Sequence, residues 1–209
     1  MRTKSEFLAA LAFGTILLTA PARAGTLYTN GAISGQIGGL GLYTGNQVTD
    51  SFTLSGPGTI LSVTFGEWVD SGTTPEDVDW EIGSSAFGSD LGSATGVSLT
   101  WSLFCTAGGG CGDGVSDVYA SSFTLDLPLA GGTYWLTLQN ATTSTGVAYW
   151  DQNGGPSLVE TTCCVSGYLS NSFTITGTVP EPGSVWLGGS GFLLLFAAAL
   201  RRAGKHFPR

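Results

Sequence analysis

The chain has 209 residues, a formal net charge of −8 at pH 7 and a calculated pI of about 4.3. All seven Lys and Arg residues and the single His lie in two terminal segments, residues 1–24 and 178–209. Residues 25–177 therefore lack the cations that bind nucleic acid and the imidazole that Ser-His-Asp and Cys-His enzymes require.

Residues 1–24 have the order of a secretory signal peptide. Two basic residues precede an apolar stretch at residues 7–18, and the small-residue pattern Ala22-Arg23-Ala24 follows. A charged start, a short apolar run and an A-x-A pattern are typical of a cleaved export signal, and this run is short for a membrane-spanning helix. We expect cleavage after Ala24, with Ala22 and Ala24 as the small residues of the site. The alternative is a buried helix of the mature domain.

Residues 25–177 have the pattern of one all-β domain. Gly, Ser and Thr are frequent, helix-period stretches are absent, and short alternating segments are separated by turn residues. These features predict an antiparallel β-sandwich of jelly-roll-like type. The predicted strands span residues 48–54, 60–69, 78–82, 97–104, 118–127, 133–138, 146–150 and 172–176.

Two of the predicted strands have a clear apolar face. Alternate residues of a strand share one side of the sheet. The first face is Leu99, Trp101 and Leu103, and the second is Phe123, Leu125 and Leu127. We expect both faces to lie in the core.

The most acidic segment, residues 75–82, offers a weak candidate for a calcium site. Alternation would place Asp77, Asp79 and Glu81 on one face of a strand, and calcium prefers oxygen ligands. The segment has no EF-hand or nonapeptide calcium spacing, so the solvated face of a half-buried strand is the preferred interpretation. We predict no other metal or cofactor.

The four cysteines are consistent with export, because an even number in an exported chain implies disulfides. Cys105 and Cys111 bracket a glycine-rich loop, whereas Cys163 and Cys164 are adjacent. Three pairings are open. We favour Cys105 with Cys111, which leaves a vicinal bridge, over cross-pairing that would join two distant loops.

Three tryptophans, Trp68, Trp135 and Trp150, are out of step with their apolar neighbours and are candidate glycan contacts. Exposed aromatic rings can stack on sugar faces while neighbouring amides and carboxylates bind hydroxyls. The alternative is that these rings pack under loops or inside the sandwich.

A carboxylate-only enzyme, such as a glycoside hydrolase, is the alternative function. It needs two acids about 5 to 10 Å apart. The candidate acids are Glu67, Glu76, Glu81, Asp151 and Glu160. No motif joins any two of them, so the predicted function is not catalytic.

The C-terminal segment, residues 178–209, carries the most specific signal in the chain. Pro180-Glu181-Pro182 is followed by an apolar segment at residues 185–200 and a basic end at residues 201–209. The prolines predict an extended break before the apolar segment. The segment predicts one transmembrane helix at the short end of the usual length, and the basic end predicts that its C-terminus lies in the cytoplasm.

This tail resembles the PEP-CTERM sorting signal, which Pro180, Glu181 and Pro182 match position by position. The segments around residues 49–54, 78–83, 132–138 and 148–151 also resemble a recurrent type of PEP-CTERM ectodomain. The resemblance implies an exosortase as processing partner. It also implies inner-membrane attachment before processing, a surface or extracellular location afterwards, and association with exopolysaccharide or biofilm matrix.

Overall fold

β-Branched and aromatic residues alternate with small polar residues through most of residues 24–179, and this pattern favours strands. The computed structural model describes residues 24–157, 159–163 and 169–179. The predicted signal peptide up to residue 23 and the predicted tail from residue 180 lie outside them. The described ranges contain no helix, and therefore no helix that could cross a membrane.

The described residues form thirteen strands that belong to one compact unit. The strands are β1 (Ala24–Thr29), β2 (Gly39–Gly41), β3 (Gln47–Leu54), β4 (Gly58–Asp70), β5 (Pro75–Gly83), β6 (Gly92–Ser98), β7 (Thr100–Cys105), β8 (Ser116–Leu129), β9 (Gly132–Thr143), β10 (Ala148–Asn153), β11 (Val159–Thr161), β12 (Ser170–Asn171) and β13 (Phe173–Thr178).

The first of two antiparallel sheets is built on the long strand β4. One edge of β4 pairs with β8, which in turn pairs with β7. The other edge of β4 is shared, because its first part pairs with β13 and its last part with β10. Strand β1 extends the sheet beyond β13, and β2 and β12 extend it beyond β10.

The second sheet has the strand order β11-β3-β9-β5-β6. Buried side chains of both sheets form one cluster, as in a β-sandwich. Phe52 and Leu136 belong to the second sheet, and Phe65, Trp150 and Phe173 to the first. The all-β prediction is therefore confirmed for the described residues.

One predicted strand is in fact two, and its predicted core face is wrong. The chain leaves the second sheet at Ser98, the end of β6, and enters the first sheet at Thr100, the start of β7. Leu99, between them, is buried, whereas Trp101 and Leu103 are 45% and 51% exposed. The physical reason is that β7 is an edge strand that the second sheet does not cover. The other predicted face behaves as expected, because Phe123 is buried and Leu125 and Leu127 pack partly against the core.

The chain enters and leaves the domain at the same edge. Ala24 of β1 pairs with Thr178 of β13. Strand β1 was not predicted from the sequence. Strand β13 ends two residues before Pro180, so every described strand precedes the predicted sorting motif.

The disulfide Cys105–Cys111 is present, as favoured from the sequence. Cys163 is also disulfide-bonded, and its partner lies outside the described residues, as does the predicted participant Cys164. The Cys105–Cys111 loop covers the outer face of the first sheet, where Cys111 packs with Trp68 and Val118. Cross-pairing of Cys105 or Cys111 with the other cysteines is thereby excluded.

Candidate functional site

Two of the three tryptophans predicted as candidate glycan contacts are buried. Trp68 is 3% exposed and donates from Nε1 to the Asp151 carboxylate at 2.7 Å. Trp150 is fully buried and donates from Nε1 to the Ser172 carbonyl at 2.9 Å. Their indole N–H groups are satisfied inside the protein. For these two residues the packing alternative holds, and they are not candidate glycan contacts.

Trp135 lies on the outer face of the second sheet and is half-buried. The two adjacent residues of β9, Tyr134 and Leu136, point to the opposite side of the sheet, into the core. Across the sheet it stands opposite Ser51 of β3 and Gly83 of β5. Small side chains on both sides leave the indole as the largest group of this part of the face.

The acidic alternation predicted for β5 occurs on the same outer face. Val78, Trp80 and Ile82 are buried in the core, while Asp79 and Glu81 are half-buried on the opposite side. The other candidate ligand, Asp77, is half-buried as well.

Amides of β9 pair with these carboxylates. Gln139 donates to Glu81 at 3.0 Å, and Asn140 donates to Asp79 at 2.8 Å. We call the surface formed by Asp79, Glu81, Trp135 and Gln139 the Trp135 face.

Two buried threonines lie at the centre of the outer face of the second sheet. Thr49 and Thr137 stand opposite each other and are fully buried. The Thr137 hydroxyl donates to the Thr49 hydroxyl at 2.9 Å, and Thr49 donates to the Leu136 carbonyl at 3.2 Å. Any ligand of the Trp135 face would therefore contact the longer side chains around the threonines.

Asp79 has a structural task that explains its position without a metal ion. Its Oδ1 accepts from the Gly96 N–H at 2.7 Å, and its Oδ2 accepts from Asn140. Gly96 and Asn140 have φ values of +59° and +48°, and each lies at a register shift of a strand that flanks β5. Asp79 thus joins two β-bulges. Within the described ranges, no cluster of three or more His, Cys, Asp or Glu side chains could hold a metal ion.

The five candidate acids of the hydrolase alternative lie in different environments. Asp151 is buried and accepts hydrogen bonds from the N–H groups of Ser34 and Gly35 as well as from Trp68. Glu81 and Glu160 occupy the same row of the outer face but are separated by two intervening strands, about 14 Å between backbones. Glu76 is exposed near the other end of β5.

Glu67, the remaining candidate, is a core residue. It points between the sheets from β4, is fully buried, and neither carboxyl oxygen has a hydrogen-bond partner. Burial raises the pKa of Glu67 from 4.5 to about 8, and the nearby Ser121 hydroxyl opposes this only in part. The side chain is therefore protonated and neutral at pH 7. Its isolation from solvent makes it unsuitable as a catalytic acid.

A second buried carboxyl, Asp50, was missed from the sequence. Its Oδ2 accepts from the Asn30 side chain, the Ser170 hydroxyl and the Asn171 N–H at 3.1, 3.1 and 2.7 Å. Burial raises the pKa of Asp50, and hydrogen bonds from hydroxyl and N–H donors oppose that effect. Asn and Ser near residues 30 and 170 are the only sequence signal, and it is also that of ordinary turns.

Tyr28 and Asn153 extend this network around Asn30. Tyr28 donates from its hydroxyl to the Asn30 side-chain oxygen at 2.8 Å, and Asn153 donates from its side chain to the Asn30 carbonyl at 2.7 Å. The network holds the chain between β1 and β2 against the end of β10. Its arrangement is that of a structural clamp.

No family model matches the chain, and no curated protein is significantly similar to it.

Proposed function

We propose that this chain is an exported, exosortase-sorted protein that acts at the cell surface or in the extracellular matrix by binding and not by catalysis. Its domain is tethered to the inner membrane by the helix at residues 185–200 until the tail is processed near Pro180-Glu181-Pro182. We propose likewise that residues 1–24 are a cleaved signal peptide, that residues 185–200 form a membrane helix, and that the strands of the sandwich connect as in a jelly roll.

The order of segments along the chain supports the proposed route. A signal peptide, a cysteine-containing domain without cations and a PEP-type tail succeed one another. The disulfide Cys105–Cys111 fits an oxidising compartment. Since β13 ends at Thr178, removal of the tail after the motif would cost none of the described strands.

The proposed binding function rests on the side chains of the Trp135 face. Trp135 and Gln139 lie on one face of β9, four positions apart, which corresponds to about 13 Å along a strand. At one end of the Trp135 face, the hydrogen-bonded Glu81 and Gln139 side chains offer acceptors and donors for the hydroxyl groups of a sugar. At the other end, the indole of Trp135 offers an apolar surface. An extended oligosaccharide could contact both.

The negative charge of the domain indicates which class of polysaccharide it could bind. Residues 25–177 contain carboxylates and no cationic side chain, so an anionic polymer would be repelled at low salt. We therefore propose a neutral exopolysaccharide as the ligand.

Affinity electrophoresis of the purified chain in gels containing neutral polysaccharides tests this function. The wild-type chain should be retarded, and both Trp135→Ala and Gln139→Ala should lose most of the retardation. Tyr43→Ala is the matched control, because it removes an aromatic ring that is 43% exposed and lies outside the Trp135 face. Equal retardation of Trp135→Ala and wild type, with folding of both verified by circular dichroism, would contradict the assignment of this face.

A further inference from the structure

Strand β7 is an open edge of the first sheet with exposed apolar side chains on both faces. Among the described strands its only partner is β8. Trp101, Leu103 and Phe104 are 45%, 51% and 51% exposed. An edge strand presents a row of unpaired N–H and C=O groups to which another strand can add.

The edges of the second sheet lack this combination. Strand β6, at one edge of the second sheet, has the sequence GSATGVS, and β11, at the other edge, has only three residues. Proteins usually blunt an exposed edge with Lys, Pro or an inward-pointing charge. Strand β7 carries none of these.

We propose that two copies of this chain associate by antiparallel pairing of their β7 strands, which joins their first sheets into one continuous sheet. The pairing supplies backbone partners for the open edge of each copy. The proposal does not depend on glycan binding by the Trp135 face.

The sequence of β7 is self-complementary in one register. With Ser102 opposite Ser102 of the second copy, Trp101 stands opposite Leu103 in both halves of the pair, on the same face. That face continues onto β8, where the Tyr119 ring meets Trp101 edge-on at 5.2 Å. Two Trp–Leu pairs would then pack side by side across the new strand pair, with one Tyr119 ring at each end of the row. Aromatic–aliphatic cross-strand pairs of this kind stabilise sheets.

Electrostatics favours this edge for contact between copies. The domain carries only negative charges, so a second copy is repelled by most of its surface. Strand β7 has no ionisable side chain, and pairing in this register opposes no carboxylates within the strand pair. The occupant that fits is therefore another copy of the uncharged strand.

Sedimentation velocity of the full chain in neutral detergent, across a concentration series, tests the association. The wild-type chain should form dimers, and Leu103→Asp should raise the dimer dissociation constant about tenfold or more, since each dimer gains two carboxylates opposite tryptophans in a domain that is already negative. Val115→Asp is the matched control. It adds the same charge at an apolar residue that is 70% exposed and lies outside β7, and it should leave the dimer intact.

Cross-linking tests the register. Ser102→Cys should give a covalent dimer under mild oxidation, because directly opposed residues have Cβ atoms about 4.5 to 5.5 Å apart. Thr100→Cys, which would stand opposite Phe104, should not. A chain that is monomeric at every concentration, or a Leu103→Asp dimer as stable as wild type, would overturn the proposal. A monomer whose edge amides on β7 are protected from hydrogen exchange would also overturn it, because another segment of the chain would then occupy the edge.

Discussion

At the scale of single residues, the core contains a neutral acid. Glu67 is enclosed by β4, β8 and β10, opposite Tyr119 and Trp150, with no hydrogen-bond partner for its oxygens. A buried carboxylic acid without a partner is costly, and it avoids the greater cost of a buried charge by keeping its proton.

This proton makes the stability of the domain depend on pH. The folded pKa of about 8 exceeds the ordinary value of 4.5, so the folded chain holds a proton that the unfolded chain loses. The contribution of Glu67 to stability is therefore fully present below about pH 4.5 and falls as the pH rises to about 8. One pKa unit corresponds to about 1.4 kcal/mol, which makes the fall between pH 5 and pH 8 roughly 3 kcal/mol.

The substitution Glu67→Gln should remove this fall, since an amide does not titrate. Urea unfolding at about pH 5 and pH 8 should show that the variant gains roughly 3 kcal/mol relative to wild type at the higher pH. Glu160→Gln, at an exposed position, controls for the loss of one carboxyl group. Identical pH dependence of Glu67→Gln and wild type would show that Glu67 is not a buried neutral acid.

The burial of several side chains could not be predicted from the sequence, because their hydrogen-bond partners and covering strands are distant in sequence. Trp68 and Trp150 look out of step in the sequence, but each meets a polar acceptor 83 and 22 positions away, respectively, inside the protein. Likewise, Glu67 and Asp151 were candidate catalytic acids, and only the sheet packing shows that both are buried. The exposure of a polar or amphipathic side chain depends on which strand covers it, and local alternation does not contain that information.

At the scale of elements, the second sheet is shaped by the two bulges that Asp79 joins. Asn140 adopts a left-handed conformation, which costs most non-glycine residues about 1 to 2 kcal/mol and is better tolerated by Asn. Its side chain recovers part of that cost by donating to Asp79.

Substitution of Asn140 separates the cost of the left-handed backbone from the contribution of the hydrogen bond to Asp79. Asn140→Gly keeps the backbone conformation and loses only the hydrogen bond, so we expect a loss of about 1 kcal/mol in the free energy of unfolding. Asn140→Ala adds backbone strain, and we expect a loss of about 2 to 3 kcal/mol. Urea unfolding of both variants measures the difference, and an alanine variant as stable as the glycine variant would contradict the role of the left-handed bulge.

The strands themselves were largely predictable from their period-two alternation. Strands β3, β4, β5, β8 and β9 extend the predicted segments by a few residues at one or both ends. The split between β6 and β7 was not predictable, because no turn residue interrupts the alternation at Leu99. The short strands β2, β11 and β12 were also missed, since two or three residues carry no detectable period.

At the scale of the whole molecule, fold class followed from composition and alternation, whereas the pairing order did not. The first strand pairs with the last, and β3 pairs with β9 and β11, contacts that join residues far apart in sequence. Such pairings are decided by packing between sheets and not by local preference. The result is a domain whose two ends lie together, suited to a protein proposed to lose a leader at one end and a tail at the other.

We propose that the chain is exported and then sorted by its tail, and the intact mass of the protein recovered from cells and medium tests both steps. The measurement is made with and without a co-expressed exosortase. We predict a species that begins at Gly25 in both cases and ends near Pro182 only when the exosortase is present. A full-length, membrane-held species in both cases would contradict sorting by the tail and would make the tail a simple anchor.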